Sequence, residues 1–142
     1  MPDTAHYRII KGECSQFAAF DENFDSGIKQ MGLQSSVQFN YDAATRILRC
    51  NAGVSVLQQE KPLLKAVCSM YFEFEAETTA GFVREEGLEI PRPLLVHFAS
   101  LSYGALRGIL IDRSGDLSFR LPVLPPVNMG GIVTGPLCIS EK

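Results

Sequence analysis

One segment constrains the fold more than any other, because it is predicted to form a helix of about five turns that is apolar around most of its circumference. It is residues 91–110, PRPLLVHFASLSYGALRGIL, and its two leading prolines suit the first turn of a helix. On a helical wheel its apolar side chains fill an arc of about 200°, whereas a surface helix buries a stripe of about 100° or somewhat more. This helix therefore needs more than one packing partner.

The remaining arc of the helix is built mostly from small residues. Ser100, Gly104 and Gly108 recur every four positions, beside His97 and Arg107. Glycine inside a helix costs about 0.5–1 kcal/mol relative to alanine, so two glycines at this spacing indicate close approach by another element. A ridge of small residues permits close contact between helices. We predict an oligomer interface at Ser100, Gly104 and Gly108, and the alternative is that the protein's own loops pack there.

Four segments before the helix alternate between apolar and polar residues, the period of a half-buried strand. They are residues 7–20, 33–42, 48–56 and 64–75, and short turns join the last three. Short turns favour an antiparallel meander with one apolar and one polar face. The apolar face needs a cover, and the long helix is the only candidate. The predicted fold class is therefore α+β, a four-stranded antiparallel sheet covered by one long helix.

The segments on either side of the helix are predicted to be irregular. Residues 77–90 hold isolated hydrophobic residues and several glutamates, which is typical of an acidic loop. The end of the chain is rich in proline and glycine, which exclude a long helix but leave room for a short strand around residues 117–121. A chain of 142 residues suits a single domain, so we assign residues 1–142 to one domain.

Composition narrows the classes of function. The net charge is −3 with no basic cluster, which argues against nucleic-acid binding. No apolar run approaches the roughly 18 residues of a membrane span, so we expect no membrane insertion. The N-terminus lacks the pattern of a signal peptide, and none of the four cysteines forms a Cys-x-x-Cys pair. These features predict a cytoplasmic protein with reduced thiols.

No catalytic or metal-binding constellation is recognisable. His97 and Ser100 lie three residues apart on the helix, but the chain has no nucleophile elbow and no orienting acid nearby. Glu85, Glu86 and Glu89 lack the close spacing of a carboxylate metal site and are interpreted as solvated. We therefore predict no catalytic residue, no metal and no cofactor, and a protein that is not an enzyme.

The order of these elements resembles the SecB-like family of protein-export chaperones. Four antiparallel strands precede a long helix that ends near an Arg-Gly pair, here Arg107-Gly108. An extended segment closing on Pro-Val-Asn follows, here LPVLPPVNM at residues 121–129. YRII at residues 7–10 resembles the family's first strand, and YFEFEAE at residues 71–77 resembles the end of its fourth. The resemblance spans residues 7–129.

The resemblance implies a homotetramer, a dimer of dimers in which the long helices lie between sheets. Such an assembly would give the helix its second packing partner. The resemblance also implies an ATP-independent holdase that binds unfolded or non-native polypeptides in hydrophobic surface grooves and serves protein export. By position it assigns client binding to residues near the end of the fourth strand and the start of the helix: Phe72, Phe74, Phe82, Leu94 and Leu95.

Departures from the family bear on the partners of this chain. Glycines and a proline after Asn128 are expected to preclude the family's second helix, and residues 129–142 hold no acidic run like the family's C-terminal tail. SecB docks on the export motor SecA through an acidic sheet surface and its C-terminal region, and Glu13 is the clearest acidic candidate on the first strand here. Coupling to SecA is therefore not expected. A dedicated SecB-like chaperone of a toxin–antitoxin system fits as well as a general one.

Two further classes of protein remain as alternatives. One is an oligomer that keeps the SecB fold without chaperone activity. The other, less favoured, is a hotdog-type thioesterase, which also packs a long helix on an antiparallel sheet. The hotdog helix comes early, between the first strands, whereas the helix at residues 91–110 follows four strands.

Overall fold

The computed structural model describes residues 5–28, 30–117, 119, 121, 124–125 and 127–140. Its main sheet is antiparallel, with the strand order β1-β4-β3-β2. The strands are β1 (Tyr7–Ala19), β2 (Gly32–Asp42), β3 (Ile47–Gln58) and β4 (Lys61–Phe74). The predicted strands and the antiparallel meander of the last three are therefore confirmed.

The two edges of this sheet differ. β2 pairs with β3 in one unbroken register, from Gly32 opposite Leu57 to Asp42 opposite Ile47. The register of β1 against β4 shifts twice, between Ile9 and Lys11 and again between Cys14 and Gln16. Irregular pairing and charged residues protect an edge strand from pairing with another chain. The β1 edge is protected in this way, and the β2 edge is regular.

The long helix, α2 (Arg92–Arg113), packs on the two central strands, β3 and β4. It begins after Pro91 and carries Pro93 in its first turn, where a missing N–H costs nothing. Burying each large apolar side chain contributes about 1.5–3 kcal/mol. The helix as cover of the sheet is confirmed, and its buried residues are Leu95, Phe98, Ala99, Ser102, Tyr103, Leu106 and Leu110.

The segment between β4 and α2 is not the loop predicted over residues 77–90. It holds a short helix, α1 (Ala76–Ala80), and two short strands, β5 (Val83–Arg84) and β6 (Gly87–Ile90). β6 pairs with β7 (Leu137–Ser140) near the end of the chain, so that β5, β6 and β7 form a second, three-stranded sheet. The loop prediction is wrong because these strands are too short to show alternation and β6 finds its partner far along the chain.

The segment after α2 also departs from prediction. Leu117 and Phe119 lie in bends rather than in a strand, and residues 118 and 120 lie outside the described residues. One helical turn, α3 (Met129–Ile132), forms although it contains two glycines. The Asn128 side chain caps it by accepting a hydrogen bond from the Gly130 amide at 3.0 Å. A single capped turn tolerates glycine, whereas a longer helix of the family's kind would not.

Backbone strain marks the turn between β3 and β4, and relieving it should stabilise the fold. Gln59 and Glu60 both have positive φ, 49° and 69°, a region that favours glycine. We expect Glu60→Gly to raise the free energy of unfolding by about 0.5–1 kcal/mol, measured as a higher urea midpoint. Lys61→Gly, one residue later in the extended strand, is the control and should destabilise. An unchanged or lower midpoint for Glu60→Gly would contradict the expectation.

Candidate functional site

Aromatic side chains from the sheet, α2 and the segment after β4 meet in one cluster. The Phe72 and Phe98 rings stack with centroids 4.2 Å apart. The Phe74 centroid lies 5.3 Å from that of Phe82 and 5.7 Å from that of Phe98. The two-residue period of β4 places Phe72 and Phe74 on the same face of the sheet, beneath the helix. The cluster joins parts of the chain to which the family resemblance assigns client binding.

Four of the five predicted client-binding residues lie inside this core. Phe72, Phe74, Phe82 and Leu95 are each at most 7% exposed, and Leu94 is half-buried at the start of α2. The structure therefore places these residues in one part of the core, beneath side chains that are more exposed. Contact between them and a client stays a prediction.

The cluster comes closer to the surface at both edges of the sheet. Toward β1, the Tyr7 ring stands edge-on to Phe98 with centroids 4.8 Å apart, and its hydroxyl lies 2.7 Å from His97 Nε2. Toward β2, the Tyr41 ring centroid lies 6.2 Å from that of Phe74. Burial raises the pKa of the Tyr41 hydroxyl, and the nearby Arg46 lowers it in part. Two half-buried tyrosines thus border the aromatic core.

A row of partly exposed apolar side chains runs along β2, on the face that the helix covers at β3 and β4. Phe39 stands opposite Cys50 and Tyr41 opposite Leu48, and both partners on β3 are fully buried. The row lies outside the main contact of α2, which is with the central strands. Sequence reasoning identified the strand and placed Val37, Phe39 and Tyr41 on one face, but it did not identify their partial exposure. We call this row the β2 surface: Leu33, Val37, Phe39 and Tyr41.

Arginine side chains on one flank of α2 contact the segment that follows the helix, and they bind its backbone carbonyls. Arg107 Nε donates to the Leu124 carbonyl at 3.1 Å, and Arg92 Nε donates to the Val133 carbonyl at 2.8 Å. These contacts require carbonyl groups and apolar side chains rather than a particular sequence. Among the described residues of this segment, the buried apolar ones are Phe119, Leu124, Met129 and Val133.

Another face of α2 is exposed and carries the predicted small-residue ridge. Ser100, Gly104 and Gly108 are all exposed. Among the described residues, nothing lies within 4 Å of a Cβ placed on Gly104 or Gly108, so the alternative in which the protein's own loops pack there is wrong for this part of the chain. Leu101 is 36% exposed and Ile111 64% exposed on the same face. The ridge and its two apolar neighbours thus form an open strip, bordered by His97 and Arg107.

His97 and Ser100 on α2 are both used in structural contacts. His97 pairs with the Tyr7 hydroxyl, whereas the Ser100 hydroxyl donates to the Val96 carbonyl at 2.8 Å. The two side chains therefore do not form a nucleophile–base pair. The described residues hold no group of three or more histidine, cysteine, aspartate or glutamate side chains that could bind a metal. Length and composition alone would let α2 cross a membrane, but core helices share that property.

The four-stranded antiparallel sheet and the long helix that covers it define an α+β fold of the SecB-like kind. A solved structure with this fold is the Mycobacterium tuberculosis Rv1957 SecB-like chaperone in complex with a ChAD peptide from the Rv1956 HigA1 antitoxin. The match has a TM-score of 0.55 and 12% sequence identity, and it covers 85% of this chain and 90% of the other. At this low identity, the structural match shows a shared fold and no more. No family model and no curated protein matches the sequence.

Proposed function

We propose that this protein is a cytoplasmic SecB-like chaperone that holds extended, non-native polypeptide segments without ATP. The β2 surface is the observation that carries this proposal. Its four apolar side chains lie on a regular edge strand that has no charged residue from Gly32 to Tyr41. An extended apolar segment would cover these side chains and meet the free backbone groups of the strand.

Two further observations support this proposal. The solved neighbour of the same fold is a chaperone bound to a peptide, which favours polypeptide binding and, because that peptide comes from an antitoxin, keeps a dedicated toxin–antitoxin chaperone as the second candidate. In addition, α2 already contacts a later segment of its own chain through the backbone carbonyls of Leu124 and Val133. Recognition of this kind depends little on sequence, as a holdase requires.

Suppression of aggregation tests this function. The wild-type protein should suppress the aggregation of a chemically denatured client enzyme. Phe39→Ser should weaken client binding about 10- to 100-fold, because a buried aromatic side chain is worth about 1.5–3 kcal/mol. Asn40→Ser, on the opposite face of the same strand, is the matched control and should retain activity. A wild-type protein without suppression would favour a SecB-fold oligomer that has no chaperone activity.

We also propose that the protein assembles through the exposed strip of α2. The strip places Leu101 and Ile111 in solvent, which is unfavourable for an isolated chain. The empty space beside Gly104 and Gly108 would let a second helix approach closely. A two-fold contact of identical strips is the simplest closed arrangement, and the dimer of dimers implied by the family is built from such contacts.

The outer face of the sheet bears on coupling to SecA. Among the described residues of β1 to β4, its charged side chains include four cations and three carboxylates: Arg8, Lys11, Arg49, Lys65, Glu13, Asp42 and Glu73. All three carboxylates are engaged: Glu73 pairs with Arg8 at 2.6 Å, Glu13 accepts a hydrogen bond from the Tyr71 hydroxyl at 3.1 Å, and Asp42 accepts one from the Thr45 hydroxyl at 2.8 Å. An acidic docking surface of the kind used by SecB has no counterpart in these strands. We therefore propose a chaperone that works without SecA.

A further inference from the structure

Two cysteines face each other across the β1–β4 pairing. Cys14 stands directly opposite Cys68 in the register. Residues directly opposite in an antiparallel pair have Cα atoms about 4.5–5.5 Å apart and project to the same face of the sheet. A disulfide spans Cα distances of about 4.4–6.8 Å. The backbone therefore already places these two residues at bridging distance.

The other two cysteines are placed differently. Cys50 also lies on the inner face, but it stands opposite Met70 on β4, while Ala52 is the residue opposite Cys68. Cys50 is thus diagonal to Cys68, a separation of about 7–8 Å between backbones that a disulfide does not span without movement. Burial raises the pKa of the Cys50 thiol to about 11, which keeps it protonated. Cys138 is exposed on β7 in the smaller sheet.

The two facing thiols differ in access to solvent. Cys14 is half-buried, so a small oxidant can reach it, whereas Cys68 is 1% exposed. Burial raises the pKa of the Cys68 thiol, and the neighbouring Cys14 raises it further. The register shift between Cys14 and Gln16 leaves the backbone irregular beside the pair, and the Cys14 thiol donates to the Gln16 carbonyl there at 3.4 Å.

We propose that Cys14 and Cys68 are a thiol modification site that closes to a reversible disulfide with a small-molecule disulfide such as glutathione disulfide. The Cys14 thiolate attacks one sulfur and releases one glutathione thiolate. The Cys68 thiolate then attacks the Cys14 sulfur of the mixed disulfide and releases the second. Two protein thiols are oxidised to one disulfide, while one glutathione disulfide is reduced to two glutathione molecules.

The bridge would act on the edge of the sheet. In the described part of the chain, β1 is paired with β4 alone. Local opening at this edge therefore breaks only the hydrogen bonds between β1 and β4. A covalent link between β1 and β4 prevents that opening. We therefore expect oxidation to raise the Tm by several degrees, and reduction with dithiothreitol to reverse the change.

The experiment is peptide mapping of the full-length protein after incubation with excess glutathione disulfide. In the expected product, trypsin releases residues 12–29 linked to residues 66–84, and this linked pair has lost two hydrogens. Cys50→Ala should form the same link, and Cys14→Ala should form no intramolecular link while glutathione still modifies Cys138. A Cys14–glutathione adduct that never resolves would overturn the proposal. A link between residues 50–65 and residues 66–84, or a bridged product with an unchanged Tm, would do so as well.

Discussion

Replacing Phe72 by alanine should lower the free energy of unfolding by about 3–5 kcal/mol, the cost of removing a large buried aromatic side chain. Phe72 is fully buried and stacks on Phe98, with Tyr7 edge-on at a centroid distance of 5.9 Å. The cavity would open between the sheet and α2, where rigid rings on both sides cannot collapse into it. The urea unfolding midpoint, combined with the slope of the transition, measures the loss.

A matched variant separates core residues from client contacts. Phe39→Ala removes the same side chain from the half-exposed β2 surface and should cost about half as much stability, since the hydrophobic contribution scales with the area buried. It should weaken client binding more than Phe72→Ala does in the fraction that remains folded. The opposite result, in which Phe72→Ala unfolds as the wild type does but loses client binding, would return Phe72 to the role that the sequence resemblance implies.

These two phenylalanines show how far the sequence predicts the site. Phe39 and Phe72 both sit at apolar positions of alternating strands, and nothing local distinguishes them. Alternation identifies the face of a strand that turns inward, but it does not say how much of the sheet the helix covers. Burial depends on the strand order β1-β4-β3-β2, which places Phe72 under α2 and Phe39 at an edge. The residues of β4 that were predicted to contact a client are therefore buried beneath α2.

Element length decides which parts of the fold are predictable. β3 and β4 are long enough for their two-residue period to stand out, and α2 carries both its prolines and a wide apolar arc. β5 and β6 have too few residues to show a period, and β6 depends on a pairing with β7 that no local pattern records. The α+β class was accessible from the sequence, whereas the second sheet required long-range contacts.

Replacing Gly104 by leucine should split the assembly while making the single chain more stable. Nothing among the described residues lies within 4 Å of a Cβ at this position, so the isolated fold accommodates the side chain. Leucine is favoured over glycine inside a helix by about 0.7–1 kcal/mol, which predicts a higher unfolding midpoint for the variant chain. If a second helix lies on the ridge in the assembly, the same side chain occupies the space that helix needs.

Gly104→Leu is expected to weaken the assembly and to stabilise the single chain, and this combination distinguishes an interface from general destabilisation. Light scattering coupled to size exclusion should give the wild type a mass of two or more chains and Gly104→Leu the mass of one chain at micromolar concentration. Lys65→Leu, exposed on the outer face of the sheet, is the control for an added leucine and should keep the wild-type mass. A variant with an unchanged mass and a raised midpoint would place the contact elsewhere. The midpoints are compared at a dilution at which the wild type is also a single chain, because association raises the wild-type midpoint. A lowered midpoint for Gly104→Leu under that condition would point to general destabilisation, so the proposed interface requires a lower mass together with a more stable chain.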